Sequence, residues 1–298
     1  MGQEKKQNTA NLEKLKEIFL QPKQEPGSIK VPLEPFDSPN WGIYEGAGGD
    51  IVNWLQKLLD GEKLLDGGVD TFDECCQYIS HQMSFYSAIY LVFPYLVEAL
   101  AEDFDKYNAE TLIMYISELG ICLMTDCDMV RQDECKITDK AVLENYQLSV
   151  EKFQLIIKHF LARKIKSLSR VDRMTKSMFA LAVLAAVGNR EEAFLFLNAE
   201  MDEYIYIGCD ACEFWDEDNL DLTDKKALSV IRQREQAEDN WDGENFQDTN
   251  LWFGDFLELI QVKGLAKHLP YYLGTFRCPE CGKEATIVEF MKNHYLLA

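Results

Sequence analysis

Histidine is scarce in this chain, with four residues in 298. None of His81, His159, His268 and His294 sits in a local signature of nucleophilic catalysis, and no Gly-x-Ser-x-Gly elbow occurs. The His-x-Glu step that a zinc deaminase needs beside its cysteine pair is missing as well. His81 reads as a capping or packing residue, and His159, following Lys158 on a helix, is expected to be exposed. Proline is also sparse: five of the eight fall between Pro22 and Pro39, so that stretch is an extended lead rather than a helix. No apolar run approaches the roughly 20 residues needed to cross a bilayer. The first residues carry charge but no apolar secretory core, which points to a cytoplasmic protein. Basic residues are outnumbered, 30 against 51 acids, for a net charge of −21. Such a potential repels phosphate backbones and disfavours nucleic acid. The one basic cluster, Arg163, Lys164, Lys166, Arg170, Arg173 and Lys176, reads as an exposed loop between helices.

What is present is helical periodicity. From His81 to Glu102, apolar side chains fall at Tyr86, Ile89, Tyr90, Phe93, Leu96, Val97 and Leu100, the spacing of one helical face. Pro94 inside that pattern predicts a bend. Further helices are expected over 8–20, from Ile51 to Leu59 with Asp50 as cap, after Asp70 or Thr71, over about 109–124 and 139–164, and after Asp172. Gly188-Asn189 marks a tight turn between two helices. The glycine-rich Glu45–Asp50 loop lacks the Lys-Ser/Thr pair and preceding strand of a phosphate cradle, and reads as a turn into a helix. Strand signals are confined to residues 204–208 and 272–277, which are expected to form one small two-stranded piece.

Both strand signals lead into a cysteine pair. Nine cysteines, an odd number in a chain read as cytoplasmic, argue against a disulfide framework. Cys75, Cys76 and Cys122 read as buried helix thiols. Cys209-Asp-Ala-Cys212 and Cys278-Pro-Glu-Cys281-Gly282 differ, because Cys-x-x-Cys brings two sulfurs to one ion within a tight turn. Two such pairs complete a tetrahedral sulfur shell. One zinc ion held by Cys209, Cys212, Cys278 and Cys281 is therefore expected, and a closed shell makes it structural rather than catalytic.

Residues 202–244 hold fourteen acids against four bases. Trp215, Asp216, Glu217, Asp218 and Trp241 in that stretch are candidate contacts for a basic protein partner, since tryptophan anchors interfaces.

Ile79-Ser80-His81-Gln82-Met83-Ser84-Phe85-Tyr86-Ser87-Ala88, then Pro94-Tyr95-Leu96-Val97, resembles bacterial HEAT-repeat-like proteins, although Met83 stands where they often have glycine. The run Leu273-Gly274-Thr275-Phe276-Arg277-Cys278-Pro279-Glu280-Cys281-Gly282 is similar to a C-terminal knuckle in some of them. The resemblance implies stacked helical hairpins and a non-enzymatic, partner-binding role, with immunity-type inhibition of a toxin as its most specific form. The expected fold is thus all-α, an irregular HEAT-like α-solenoid with a small zinc-knuckle and β element near the C-terminus. Its parts would be an N-terminal helix and proline-rich lead (1–50), a helical-repeat scaffold (51–201), and an acidic, knuckle-bearing region packed on that scaffold (202–298). The competing functional reading is a zinc-containing hydrolase with a dispersed site.

Overall fold

Side-chain carboxylates and amides start most of the helices. Asp50, Asp70, Asn108, Asp139, Asp172 and Asp248 each accept a backbone N–H from the first turn that follows, satisfying donors that the helix cannot. A computed structural model describes residues 2–65, 67–131, 139–212, 214–215, 220–234 and 241–297. In chain order the elements are helices α1 (Gly2–Leu20), α2 (Ile51–Leu59), α3 (Thr71–Ser80), α4 (Ile89–Glu102), α5 (Ala109–Thr125), α6 (Lys140–Lys164), α7 (Arg173–Ala186) and α8 (Arg190–Asp202), then strands β1 (Tyr204–Ile205), β2 (Gly208–Cys209), β3 (Phe214–Trp215) and β4 (Leu220–Asp221). Helices α9 (Lys225–Leu228), α10 (Thr249–Leu259) and α11 (Lys263–Tyr272), strands β5 (Thr275–Arg277) and β6 (Glu284–Thr286), and helix α12 (Ile287–Leu297) complete the chain. The protein is mostly helical, with small antiparallel strands towards the C-terminus. No helix among the described residues is long and apolar enough to cross a membrane.

The chain divides into two compact units, Phe19–Arg170 and Met1–Ile18 with Val171–Ala298. This division departs from the three parts read from the sequence. The proline-rich lead belongs with the middle helices, and α7 and α8 belong with the C-terminal region.

In the middle unit α3 packs on α2 and α5, and α4 packs on α6. Every residue of α4 from Ile89 to Val97 is buried, as expected of a helix apolar on all sides. Each large side chain sealed there contributes on the order of 1.5–3 kcal/mol relative to exposure. The helix starts later than periodicity predicts. Gln82 and Met83 adopt left-handed φ of 53° and 61°, which breaks the chain into a short 3-10 turn before α4 begins. Pro94 lies within α4. The lead is fastened to these helices: Val31 N–H donates to Glu98, whose carboxylate also meets buried Lys152 at 2.6 Å, and Phe36 stacks on Tyr95. His159 is buried, not exposed, because Nε2 lies 2.8 Å from the Gln24 carbonyl of the same lead.

The glycine-rich loop has a packing explanation. A Cβ at Gly46 would lie 2.0 Å from the Tyr78 ring and one at Gly49 2.2 Å from the Trp54 ring, so the aromatics cover bare backbone. Asp50 then caps α2, as its position predicts.

In the C-terminal unit α7 and α8 form the expected hairpin across Gly188, which has φ +110°. The strands form three two-stranded pieces, β1–β4, β2–β3 and β5–β6, all antiparallel. The two strand-like runs therefore do not pair with one another. Each turns back on the segment beyond its own cysteines. Helices α10, α11 and α12 supply much of this unit's core through Trp252, Phe253, Phe256, Leu265, Tyr272, Ile287 and Phe290.

Candidate metal centre

The two cysteine pairs sit on the tips of two hairpins. In the first, β2 pairs with β3 in the register Gly208↔Trp215 and Cys209↔Phe214, leaving Asp210–Cys212 in the turn. In the second, Thr275↔Thr286, Phe276↔Ala285 and Arg277↔Glu284 align β5 with β6, and Cys278–Lys283 form the turn. Cys278 N–H donates to Lys283 O at 2.8 Å and Gly282 N–H to Cys278 O at 3.0 Å. That closure holds Gly282 at φ +77°, the left-handed conformation expected of the trailing glycine.

What joins cysteines so distant in sequence is α12. It continues directly from β6 and packs against β2. The approach is close enough that a Cβ on Gly208 would stand 2.8 Å from the backbone nitrogen of His294 and 2.9 Å from its Cα. Glycine immediately before Cys209 is therefore the seat that carries the second hairpin against the first. Tyr206 stacks on the His294 ring, centroids 5.1 Å apart. Lys283 adds a polar clasp, with Nζ 2.7 Å from Asp210 in the first turn and 2.8 Å from Glu289 at the start of α12. The two carboxylates raise the lysine pKa, and the lysine lowers that of Asp210.

The four Sγ atoms all lie within 4.8 Å of one another. Cys209 and Cys281 are 3.7 Å apart, and Cys212 and Cys278 are 3.6 Å apart. A tetrahedron with metal–sulfur bonds of about 2.3 Å has edges of about 3.8 Å, whereas a disulfide would bring sulfurs to about 2.05 Å. The set can hold a metal ion and is compatible with zinc. Cys209 and Cys278 are buried, and Cys212 and Cys281 are exposed. Burial pushes the Cys278 thiol up, but the backbone N–H groups of Cys281 and Glu280 and the neighbouring thiols more than reverse this, bringing it to about 7. Burial raises the Cys209 thiol, opposed by the Ala211 N–H. Backbone donors thus favour thiolate, the form that binds metal, at Cys278, while at Cys209 burial outweighs the single donor.

The other candidate residues fare differently. Trp241 is wholly buried, its indole N–H donating to Asn245 O and its ring packed with Phe246 and Trp252. Its side chain does not stand on a surface as the sequence reading had it. Asp216, Glu217 and Asp218 lie outside the described residues, as does the side chain of Trp215. Several acids of the 202–244 stretch serve local turns: Asp221 accepts from Thr223, Asp224 caps α9, and Asp242 accepts from Glu244 and Asn245. Members of the basic cluster are likewise engaged. Arg163 meets Asp105 and Glu25, Lys164 donates to Tyr107 O, and Arg173 reaches Glu200.

Two buried polar clusters carried no sequence signal. In the C-terminal unit Glu200 bonds His268 Nδ1 at 2.6 Å and the Tyr272 hydroxyl at 2.9 Å, with Arg173 at 3.3 Å. Burial opposes ionisation of Glu200, yet these partners, His268 first, hold its pKa below the ordinary value. In the middle unit Asp126 accepts from Tyr90 at 2.7 Å and Tyr146 at 2.8 Å. Both clusters join residues from separate helices, so only the assembled fold reveals them. No family model, no curated protein and no solved structure matches the chain.

Proposed function

We propose that the chain is a non-enzymatic, protein-binding helical scaffold whose C-terminal unit is tied by one structural zinc ion. The observation that carries this reading is the convergence of four sulfurs on two hairpin tips at tetrahedral spacing. Four thiolates fill a tetrahedral shell and leave no open position for a substrate. Metal binding would then contribute directly to folding of the surrounding chain, because the two tips come from segments far apart in sequence. The alternation of α3 on α5 and α4 on α6 supports a two-layer stack of helical hairpins in the middle unit. The net charge of −21 supports a basic protein partner, drawn by electrostatic complementarity. In its most specific form the role is that of an immunity-type inhibitor of a basic toxin acting in the cytoplasm.

Co-expression with the product of the neighbouring gene tests the partner half of the proposal. The expected result is a co-purifying complex that weakens as salt is raised and protects cells from that product. A neighbouring product that neither binds nor harms unprotected cells overturns the immunity reading and leaves the metal centre to its own test.

A further inference from the structure

The four sulfurs are not equivalent, and their pattern sets what oxidation would do to them. Two close separations run across the hairpins, Cys209 to Cys281 at 3.7 Å and Cys212 to Cys278 at 3.6 Å. Each short pair joins one exposed and one buried sulfur: Cys281 with Cys209, and Cys212 with Cys278. An oxidant arriving from solvent therefore meets Cys212 and Cys281 first, and each has a buried sulfur of the opposite hairpin within 3.7 Å.

We propose that this centre is a peroxide-sensitive modification site that exchanges its metal for two cross-hairpin disulfides, Cys209–Cys281 and Cys212–Cys278. The inference rests on the structural-zinc reading above only for the ion that is released. In the first step the exposed thiolate attacks one peroxide oxygen. The S–O bond forms, the O–O bond breaks and hydroxide leaves, giving a sulfenic acid. In the second step the buried thiolate of the same pair attacks that sulfur. The S–S bond forms, the S–O bond breaks and a second hydroxide leaves, and solvent protons convert both hydroxides to water. Each pair loses two electrons to one peroxide, so two peroxides consume all four thiolates. With no thiolate donors left, the ion departs.

The consequence differs from that of simple metal loss. Chelation frees the two hairpins from one another, whereas cross-hairpin disulfides keep them joined and keep α12 seated on Gly208. Oxidation thus replaces one clamp by another, and the C-terminal unit stays folded through an oxidative episode that strips its zinc.

The test uses the full-length zinc-loaded protein, with metal content measured beforehand. Two equivalents of hydrogen peroxide are added, free thiols are blocked, and peptides are mapped without reduction while released zinc is read with a chromophoric chelator. The expected result is a pair of cross-links, 209–281 and 212–278, with one zinc released per two peroxides. Cys212→Ser should abolish only the 212–278 link, and Cys281→Ser only the 209–281 link. Dominant 209–212 and 278–281 links, or sulfinic acids without cross-links, overturn the proposal. A protein isolated without zinc that still forms the cross-hairpin links overturns the metal reading and upholds the disulfide pairing, so the two failures are told apart.

Discussion

Four cysteines of the middle unit and four of the C-terminal unit differ in what surrounds the sulfur. Cys75, Cys76, Cys122 and Cys127 are buried among helices. Burial, and for Cys75 the nearby Glu74 and Asp70, pushes the Cys75 and Cys76 thiols well up, so they behave as small apolar groups. Cys209, Cys212, Cys278 and Cys281 stand on hairpin tips, where backbone N–H groups face the sulfurs of Cys209 and Cys278 and the other two meet solvent. The residue type is the same. Backbone geometry decides whether the sulfur fills space or is prepared to bind an ion.

The sharpest way to break this comparison is to remove one thiol from each set. Cys209→Ser should abolish stoichiometric metal binding and destabilise the C-terminal unit by at least about 3 kcal/mol, a fraction of the roughly 10–16 kcal/mol associated with structural zinc. Cys76→Ala should leave metal content unchanged and cost about 1–2 kcal/mol through the cavity it leaves. Metal analysis and thermal unfolding of both variants check the pair. Equal loss of metal in the two would erase the distinction.

The polar cluster of the C-terminal unit sharpens the contrast from another side. Glu200→Ala should cost about 3–5 kcal/mol, because it strands the buried His268 and Tyr272 in a site built around a carboxylate. The folded-state pKa of Glu200 lies below its ordinary value of 4.5. Its contribution is therefore complete above that value and is lost as pH falls through the folded-state value. The thermal midpoint followed from neutrality into acid should show this limb in the wild type and a shallower one in Glu200→Gln.

Smaller still is the effect expected at the seat of α12. Gly208→Ala places a methyl against the His294 backbone, which cannot rotate away, and should cost about 1–3 kcal/mol. The same change should speed zinc loss to a competing chelator. Unchanged release kinetics would show that α12 does not hold the two hairpins together. Lys283→Met comes last: the clasp to Asp210 and Glu289 is exposed, so metal content should remain full and the thermal midpoint should barely move.

Much of this was legible beforehand where a local rule acts alone. Asp50, Asp70 and Asp172 cap the helices that their positions predict, and Phe72, Cys75, Cys76 and Ile79 face inward at helical spacing. The cysteine pairs were legible because Cys-x-x-Cys is itself a local geometry. Features set by distant segments were not. The start of α4 moved because Gln82 and Met83 turn left-handed, and His159 is buried by a lead far upstream in the chain. Trp241 reads as exposed within an acidic stretch, yet Trp252 and Phe246 enclose it. Helices α10 and α12 carried a usable signal in Phe253, Phe256 and Leu257 and in Ile287, Phe290 and Met291, spaced at three and four residues.

X-ray absorption at the zinc edge of the purified protein addresses the central claim most directly. The account predicts one zinc per chain with four sulfur neighbours at about 2.3 Å, and no such signal in the Cys209→Ser/Cys281→Ser double variant. Nitrogen or oxygen neighbours in the first shell, or a well-folded protein that takes up no zinc, would contradict it.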